Sequence, residues 1–527
     1  MKFFAFRRAK SREWTFCDPI NVDSLVKPKT FWRLHIKMTS TLAGTRLIEP
    51  PRSRFIYPLV LISALLLVAC AHTVTPEPVQ LGVVLPETYS LYEKAVQAPD
   101  RWWEGFSSKE LNLLVNETLL GSPTLRISLA RLEQSRALAV QAGAVKVPDL
   151  TLNARVSGTR KRVNDQTSTD SSRDLSLVST YEVDFWGRVK AKHRSALLEL
   201  EASQEELYTA AMTLASEVTL KWLEAISVRQ QLALLDEQLK TNRTILQLLE
   251  LRYLKGFATA LDIYQQRQIL AETVAAIPVP EARLQTLMHE LAVLAGKPPR
   301  TDMGLTAIRF PEIGELPDIG VPADLLARRP DVRAAGLKLR AAEGQVAAAR
   351  AGRLPAVNIS ATTGFSSDSF TDLLDQWFAT LAANLSYSLF NAGALDAEVM
   401  RQERIVDERL ASYEEAVLTA IREAEDAMVR ERKQIEFIVA LDEQLSIARD
   451  SFREAQQRYR KGLIDYLPAL SALISTQRFE RTVVQARLER LNQRVKLHRA
   501  LGGGWMEKEF EKKNAEHTLR QGTLNAE

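Results

Sequence analysis

The chain has almost no cysteine and little histidine. Cys17 and Cys70 are the only cysteines among 527 residues, so no disulfide framework holds the protein together. The six histidines, His35, His72, His193, His289, His498 and His517, show no metal-ligand spacing such as H-E-x-x-H. There is no Walker lysine loop and no G-x-S-x-G elbow. No catalytic residue, metal or other cofactor is therefore expected, and the chain reads as a non-enzyme. An excess of one charge is missing as well. The net charge is +4 with 25% of residues charged, which gives no footprint for nucleic acid. After Cys70 no apolar run approaches the roughly 18 residues of a membrane helix.

One apolar run does stand out, from Phe55 to Ala69, ending in "LLLVAC". At about 15 residues it is too short to span a bilayer, which takes roughly 20, and it has the length of an export-signal core. Arg46, Arg52 and Arg54 supply the positive segment before it, and "AHTVTPEPVQ" after it is polar. Leu67-Val68-Ala69-Cys70 resembles the bacterial lipobox. There small residues fit the peptidase pocket and the cysteine thiol takes the lipid, so Cys70 is the expected lipid attachment site and first mature residue. Residues 71 and 72 are Ala and His, not Asp, and resemblance to proteobacterial lipoproteins then implies the outer membrane. Met38 opens a signal of ordinary proportions, so residues 1–37 are expected to be a non-native upstream extension and 38–69 the signal peptide. Residues before Met38 in an N-terminal sequence of the precursor would overturn that start.

An internal repeat organises the rest of the chain, after an expected extended segment over 70–105. "SPTLRISLARLEQSRA" from Ser122 aligns with "RPDVRAAGLKLRAAEG" from Arg329, pairing Pro123 with Pro330. "VPDLTLNARVSG" aligns with "LPAVNISATTG", and "RYLKG" at 252–256 with "RYRKG" at 458–462. The two units are assigned to residues 106–310 and 311–505, with 506–527 as a charged, flexible tail. Each unit holds a very long helix candidate, free of Gly and Pro from Arg188 to Lys255 and from Ala394 to Lys461. Both are rich in good helix formers, and at 1.5 Å per residue each extends roughly 100 Å. Such lengths need coiled-coil-like packing on neighbours. A second helix follows each "KG" stop, so each unit reads as a long helical hairpin. Pro278 and Pro280 interrupt the first return helix, which resumes at Glu281, and Pro468 interrupts the start of the second.

Four short segments alternate with period two: 150–158, 174–185, 357–362 and 381–389. In the first, Leu150, Leu152, Ala154 and Val156 alternate with Thr151, Asn153, Arg155 and Ser157. Three of the four are near the 9–11 residues of a membrane β-strand and the third is shorter, though a half-buried sheet in a soluble domain shows the same pattern. Four strands cannot close a barrel, and open edges are not tolerated in hydrocarbon. If the strands span, several chains must share one barrel. Two chains would fill its interior with side chains, and three would leave a lumen.

"DRWWEGFSSKELNLLVNETLLGSPTLRISLARLEQSRA" (100–137), "YEVDFWGRVKAKHRSA" (181–196), "PADLLARRPDVRAA" (322–335) and "HRALGGGW" (498–505) resemble the outer membrane factor family. These are the TolC-like, NodT-type lipoprotein exit ducts of tripartite efflux systems, and the resemblance covers nearly all of residues 80–505. It implies a mainly α fold with a small membrane β-barrel portion, in which long hairpins form a trimeric α-barrel and each protomer gives four β-strands to a shared twelve-stranded barrel. The implied partners are two further copies in a homotrimer, a periplasmic adaptor protein, an inner-membrane pump of the resistance-nodulation-division type, and outer membrane lipid. The implied cargo is small molecules such as drugs or toxic compounds. By the same resemblance the turns after "YLKG" and "YRKG" are periplasmic tips where the adaptor docks, with Gly256, Leu261 and Asp262 on one and Gly462 and Leu467 on the other. The family's second tip commonly carries Asp, and often Arg three residues later. Here Ser471 and Ile474 stand at those positions, so a polar or apolar constriction at Leu467, Ser471 and Ile474 is expected instead of a charged ring. Two alternatives remain open: a non-conducting periplasmic scaffold lipoprotein, and a duct for type I protein secretion.

Overall fold

The computed structural model describes residues 101–314, 327–503 and 505–507. Cys70, the signal segment, the upstream extension and nearly all of the tail lie outside the described residues. The chain divides into two compact units. One is Met1–Cys70 with Trp505–Glu527, of which only a helical turn at 505–507 is described, and the other, Ala71–Gly504, carries the rest of the fold.

The same order of elements occurs twice in it. The first copy runs through α1 (Lys109–Gly121), α2 (Pro123–Ala144), β1 (Thr151–Val163), β2 (Gln166–Val183), α3 (Arg188–Leu254), α4 (Ala260–Ala275) and α5 (Pro278–Leu294). The second runs through α6 (Pro330–Ala351), β3 (Ala356–Ser367), β4 (Trp377–Ser386), α7 (Ala394–Arg460) and α8 (Tyr466–Ala500). Helices α2 and α6 each have 22 residues and open on proline, whose missing N–H costs nothing in a first turn. Helices α3 and α7 each have 67 residues and follow a glycine in the left-handed region, Gly187 or Gly393. The segment expected to be extended ends instead in a 3-10 turn, Trp102–Phe106, with both tryptophans and the phenylalanine buried.

Two helix boundaries differ from the sequence-based expectation. The first return helix breaks at Ala276–Ile277, but α5 starts on Pro278 itself, not at Glu281. Pro468 does not interrupt the second return helix, because α8 begins at Tyr466 and places the proline in its first turn. The strands are longer than the alternating segments suggest. Asn164 and Asp165, at φ 48 and 61, form a two-residue turn of the kind that suits hairpins. Pairing therefore runs unbroken from Thr151↔Val178 to Val163↔Gln166.

All four strands join one antiparallel sheet in the order β1-β2-β3-β4. Next to it α2, α3, α6 and α7 pack side by side in that order. Farther along, α4 and α5 lie on α3, α3 on α8, and α8 on α7. Among the described residues no helix is long and apolar enough to cross a membrane.

Midway along the hairpins a dense core closes over Val332, Val417, Ala424, Met428 and Leu497. Beside it Arg494 forms an ion pair with Glu431, both almost fully buried, and donates to the Gly314 carbonyl at 3.1 Å. Burial without pairing would cost several kcal/mol per ion. His498, one turn on, stacks on Trp102 with ring centroids 5.5 Å apart. Its pKa is pushed down to about 3, chiefly by burial and secondarily by the Arg494 charge. The imidazole is thus neutral when folded and gains a proton at about pH 6.5 when unfolded. Its contribution is present above that pH and is lost as pH falls toward 3, at up to about 1.4 kcal/mol per pH unit. Melting curves from pH 7 to 4 are expected to show the wild type losing stability faster than His498→Phe, which keeps the stack on Trp102 but carries no proton.

Candidate functional site

The sheet separates its residues by polarity across all four strands. Register and alternation place Leu152, Leu175, Leu177, Tyr181, Val183, Val357, Ile359, Phe365, Trp377, Leu381 and Leu385 on one face. The other face carries Asn153, Arg155, Asp174, Ser176, Thr180, Asn358, Ser360, Thr362, Ser366, Thr380 and Asn384. Among the described residues nothing covers the apolar face: Trp377 is 73% exposed and Leu381 78%. Aromatic residues bracket it, with Phe365 and Trp377 in one cross-strand row and Phe185, Tyr387 and Phe390 exposed beyond the other end. An apolar band between aromatic girdles, backed by a polar face, is the pattern of a membrane barrel wall.

The opposite end of the molecule holds the two hairpin tips. Both end in the same six-residue stop. Phe257 N–H donates to the Arg252 carbonyl at 2.8 Å and Leu463 N–H to Arg458 at 2.9 Å, around Gly256 at φ 76 and Gly462 at φ 72. A side chain at either glycine would meet nothing within 4 Å, so the backbone angle, not space, calls for glycine. Asp262 and Thr259 form a reciprocal capping box that starts α4, with Thr259 N–H donating to Asp262 Oδ2 at 2.8 Å. Leu261 is 64% exposed and Leu467 57%. They sit at matching places on the two tips, beside exposed Leu254, Phe257, Tyr264 and Leu463.

The three residues nominated for a constriction fall on one line. Leu467, Ser471 and Ile474 are all exposed along α8, at spacings of four and three. Tyr466, Ala469, Leu470, Leu473 and Tyr459 point the other way into a core with Leu249 and Ile263. The exposed line continues to Arg478, one turn farther from the tip. This charge escapes a sequence reading confined to the positions where the family carries Asp and Arg.

A buried polar seam joining the two hairpins escapes it too. Gln266, fully buried on α4, accepts from the Tyr466 hydroxyl and donates to the Asn242 carbonyl at 2.9 Å. Asn242 Nδ2 donates to Thr273 Oγ1 at 2.9 Å, and Gln477 donates to Asn242 Oδ1 at 3.0 Å. Gln238 donates to the Gln477 carbonyl at 3.2 Å and accepts from Arg481 at 2.8 Å. Burial pushes the Tyr466 phenol well above its ordinary value, so it stays a donor. The signal is present in the sequence as Asn and Gln at helical spacing within otherwise apolar stripes.

These features define the class: one protomer of an outer-membrane channel, with a barrel segment at one end and helical tips at the other. Residues 114–297 and 321–503 match the family described as OEP, outer membrane efflux protein. The chain is 34% identical over 473 residues to the pyoverdine export outer membrane protein OpmQ of Pseudomonas aeruginosa, covering 85% of this chain and 97% of that one. It is 30% identical to the toluene efflux pump outer membrane protein TtgI of Pseudomonas putida, over 76% of this chain and 87% of that one. Among solved structures, the outer-membrane channel OprN superposes with a TM-score of 0.78 at 28% identity, covering 82% and 99% of the two chains. VceC of Vibrio cholerae gives 0.72 at 26%, covering 78% and 100%. The chain belongs to the outer membrane efflux protein family. It is an efflux channel of the outer membrane with the mainly helical, TolC-like fold of that family.

Tyr466→Phe removes the hydroxyl that donates to Gln266 Oε1 and is expected to cost about 1–3 kcal/mol, the range for an orphaned buried acceptor. The double variant with Gln266→Leu is expected to lose less than the sum of the two single changes. Thermal unfolding in a double-mutant cycle measures the difference, and strict additivity would mean that the two side chains are not coupled.

Proposed function

We propose that three copies of this chain assemble into one closed duct, lipid-anchored through Cys70, and that it passes small molecules from an inner-membrane pump and a periplasmic adaptor across the outer membrane. The observation that carries this reading is the set of open edges. Strands β1 and β4 end a four-stranded sheet and do not pair with each other. Each edge strand leaves a row of N–H and C=O groups, which hydrocarbon cannot satisfy. Three sheets joined edge to edge satisfy every one of them in twelve strands. The helical layer has the same incompleteness, since α2 and α7 end it and expose Ile127, Leu138, Met400 and Leu418. Burying such side chains against a neighbour favours the same assembly.

A polar lumen spares a polar or amphiphilic solute the cost of crossing hydrocarbon, so the duct itself needs no chemistry and acts as a non-enzyme. The relatives named for pyoverdine, solvent and toluene export support small-molecule cargo over protein secretion and over a non-conducting scaffold. In this reading Gly256, Leu261 and Asp262, with Gly462 and Leu467, present the tips to the adaptor. Exposed Leu261, Phe257 and Leu463 give it an apolar surface. The pump, of the resistance-nodulation-division type, supplies energy and selects cargo. Leu467, Ser471 and Ile474 constrict the closed tip, and Asp262 contributes through its cap.

Mass determination and single-channel recording on the purified protein test the reading together. The expected result is a trimer with an acyl mass that Cys70→Ala removes, and small, mostly closed conductance. Leu467→Ala with Ile474→Ala is expected to raise conductance several-fold, and Asp262→Ala to leave it nearly unchanged. A monomer, or an oligomer that never conducts even with both tip residues truncated, would favour the scaffold. A conductance that responds to Asp262 alone would relocate the gate.

A further inference from the structure

The β1–β2 hairpin reaches well past the last apolar row, and its charges divide between its two faces. On the face continuous with the apolar band, the rows beyond Leu175–Phe365–Trp377 are Val156–Arg173, Gly158–Ser171, Arg160–Thr169 and Arg162–Thr167. These strand residues include three arginines and no acid. On the opposite face the rows are Arg155–Asp174, Ser157–Ser172, Thr159–Asp170 and Lys161–Ser168, where two acids balance two cations.

The three arginines sit at two depths. Arg173 lies one row past the aromatic row, stacked 4.6 Å over the Phe370 ring and donating to the Asp368 carbonyl. Rows are about 6.8 Å apart along a strand. Arg160 and Arg162 therefore lie about 20 and 27 Å beyond the aromatic row, or roughly 15–20 Å above it at the usual barrel tilt. Arg162 holds Asp165 of the turn at 2.7 Å, with both side chains largely exposed. Phospholipid headgroups extend only about 5–7 Å beyond the hydrocarbon. Arg173 occupies that layer, and the other two stand above it.

We propose that this outward arginine face binds a phosphorylated glycolipid of the outer leaflet, whose sugar-borne phosphates extend beyond the headgroup layer of a phospholipid. The inference rests on the barrel reading of the proposed function, which makes the apolar face the lipid face. Guanidinium suits the task because its fork matches phosphate oxygens two at a time. The segregation has a reason in this setting. Acids facing outward would repel the lipid's phosphates, whereas acids facing the lumen meet only water and cargo.

The test titrates the full-length trimer in neutral detergent with rough-type lipopolysaccharide bearing phosphorylated inner-core sugars, with the same lipid after enzymatic dephosphorylation, and with phosphatidylglycerol. The expected result is at least tenfold tighter binding of the phosphorylated glycolipid than of the other two. Arg160→Gln with Arg162→Gln is expected to abolish that preference, Lys161→Gln on the lumen face to leave it intact, and Arg160→Lys with Arg162→Lys to retain part of it. Equal binding of phosphatidylglycerol, no difference on dephosphorylation, or an equal loss in Lys161→Gln would each overturn the proposal. Conductance of the same preparations separates the two levels. A wild type that conducts but shows no phosphate preference defeats this inference alone, whereas one that never inserts defeats the barrel reading beneath it.

Discussion

Unpaired backbone groups cannot be left in hydrocarbon, and that constraint reaches into nearly every part of this molecule. A four-stranded sheet satisfies its inner strands and leaves two edges open. In water such edges are a hazard that proteins blunt with charges or proline. Here β4 reads WFATLAANLS, without a charge or a proline. That composition suits an edge meant to be covered. The same logic makes the chain depend on copies of itself, because closure supplies what no local change in the sheet could.

The duplication fits this requirement. Each unit contributes one strand pair and one long helical hairpin, with equal lengths in α2 and α6 and in α3 and α7. A threefold assembly of a twofold repeat gives six similar hairpins around one axis. Identical stops at Gly256 and Gly462 keep the tips level. The units then diverge where level tips need different surfaces. A capping box starts α4, whereas α8 carries Pro468 in its first turn and no side-chain cap.

Much of this is legible in the residues. Glycine- and proline-free stretches mark both long helices almost to their ends, since nothing within them disfavours the helix. Alternation finds all four strands, but it loses β1 after Gly158 and β2 before Asp174, where Arg, Lys, Ser, Thr and Asp make both faces polar and the period disappears. The Asn164-Asp165 turn is the better clue there. The prolines mislead in two places, since α5 starts on Pro278 itself and α8 carries Pro468 within its first turn. Pro468 looks like an interruption because a sequence does not say which turn of a helix it occupies. The polar seam is hidden for a different reason: buried Asn and Gln look like surface residues until the partner helix is known.

The seam also answers a problem that very long helices create. A helix of 67 residues with apolar positions every three or four can pack nearly as well after sliding one heptad, a shift of about 10 Å. Apolar side chains alone discriminate weakly between such registers, because one leucine replaces another. Gln266, Asn242, Thr273, Gln477 and Tyr466 discriminate strongly, because a slip would strand several buried donors and acceptors at once. A polar residue in an apolar seam costs stability and specifies alignment. Here that alignment governs whether Leu261 and Leu467 end at one level, so the seam belongs near the tips, where a register error would displace the surfaces that matter.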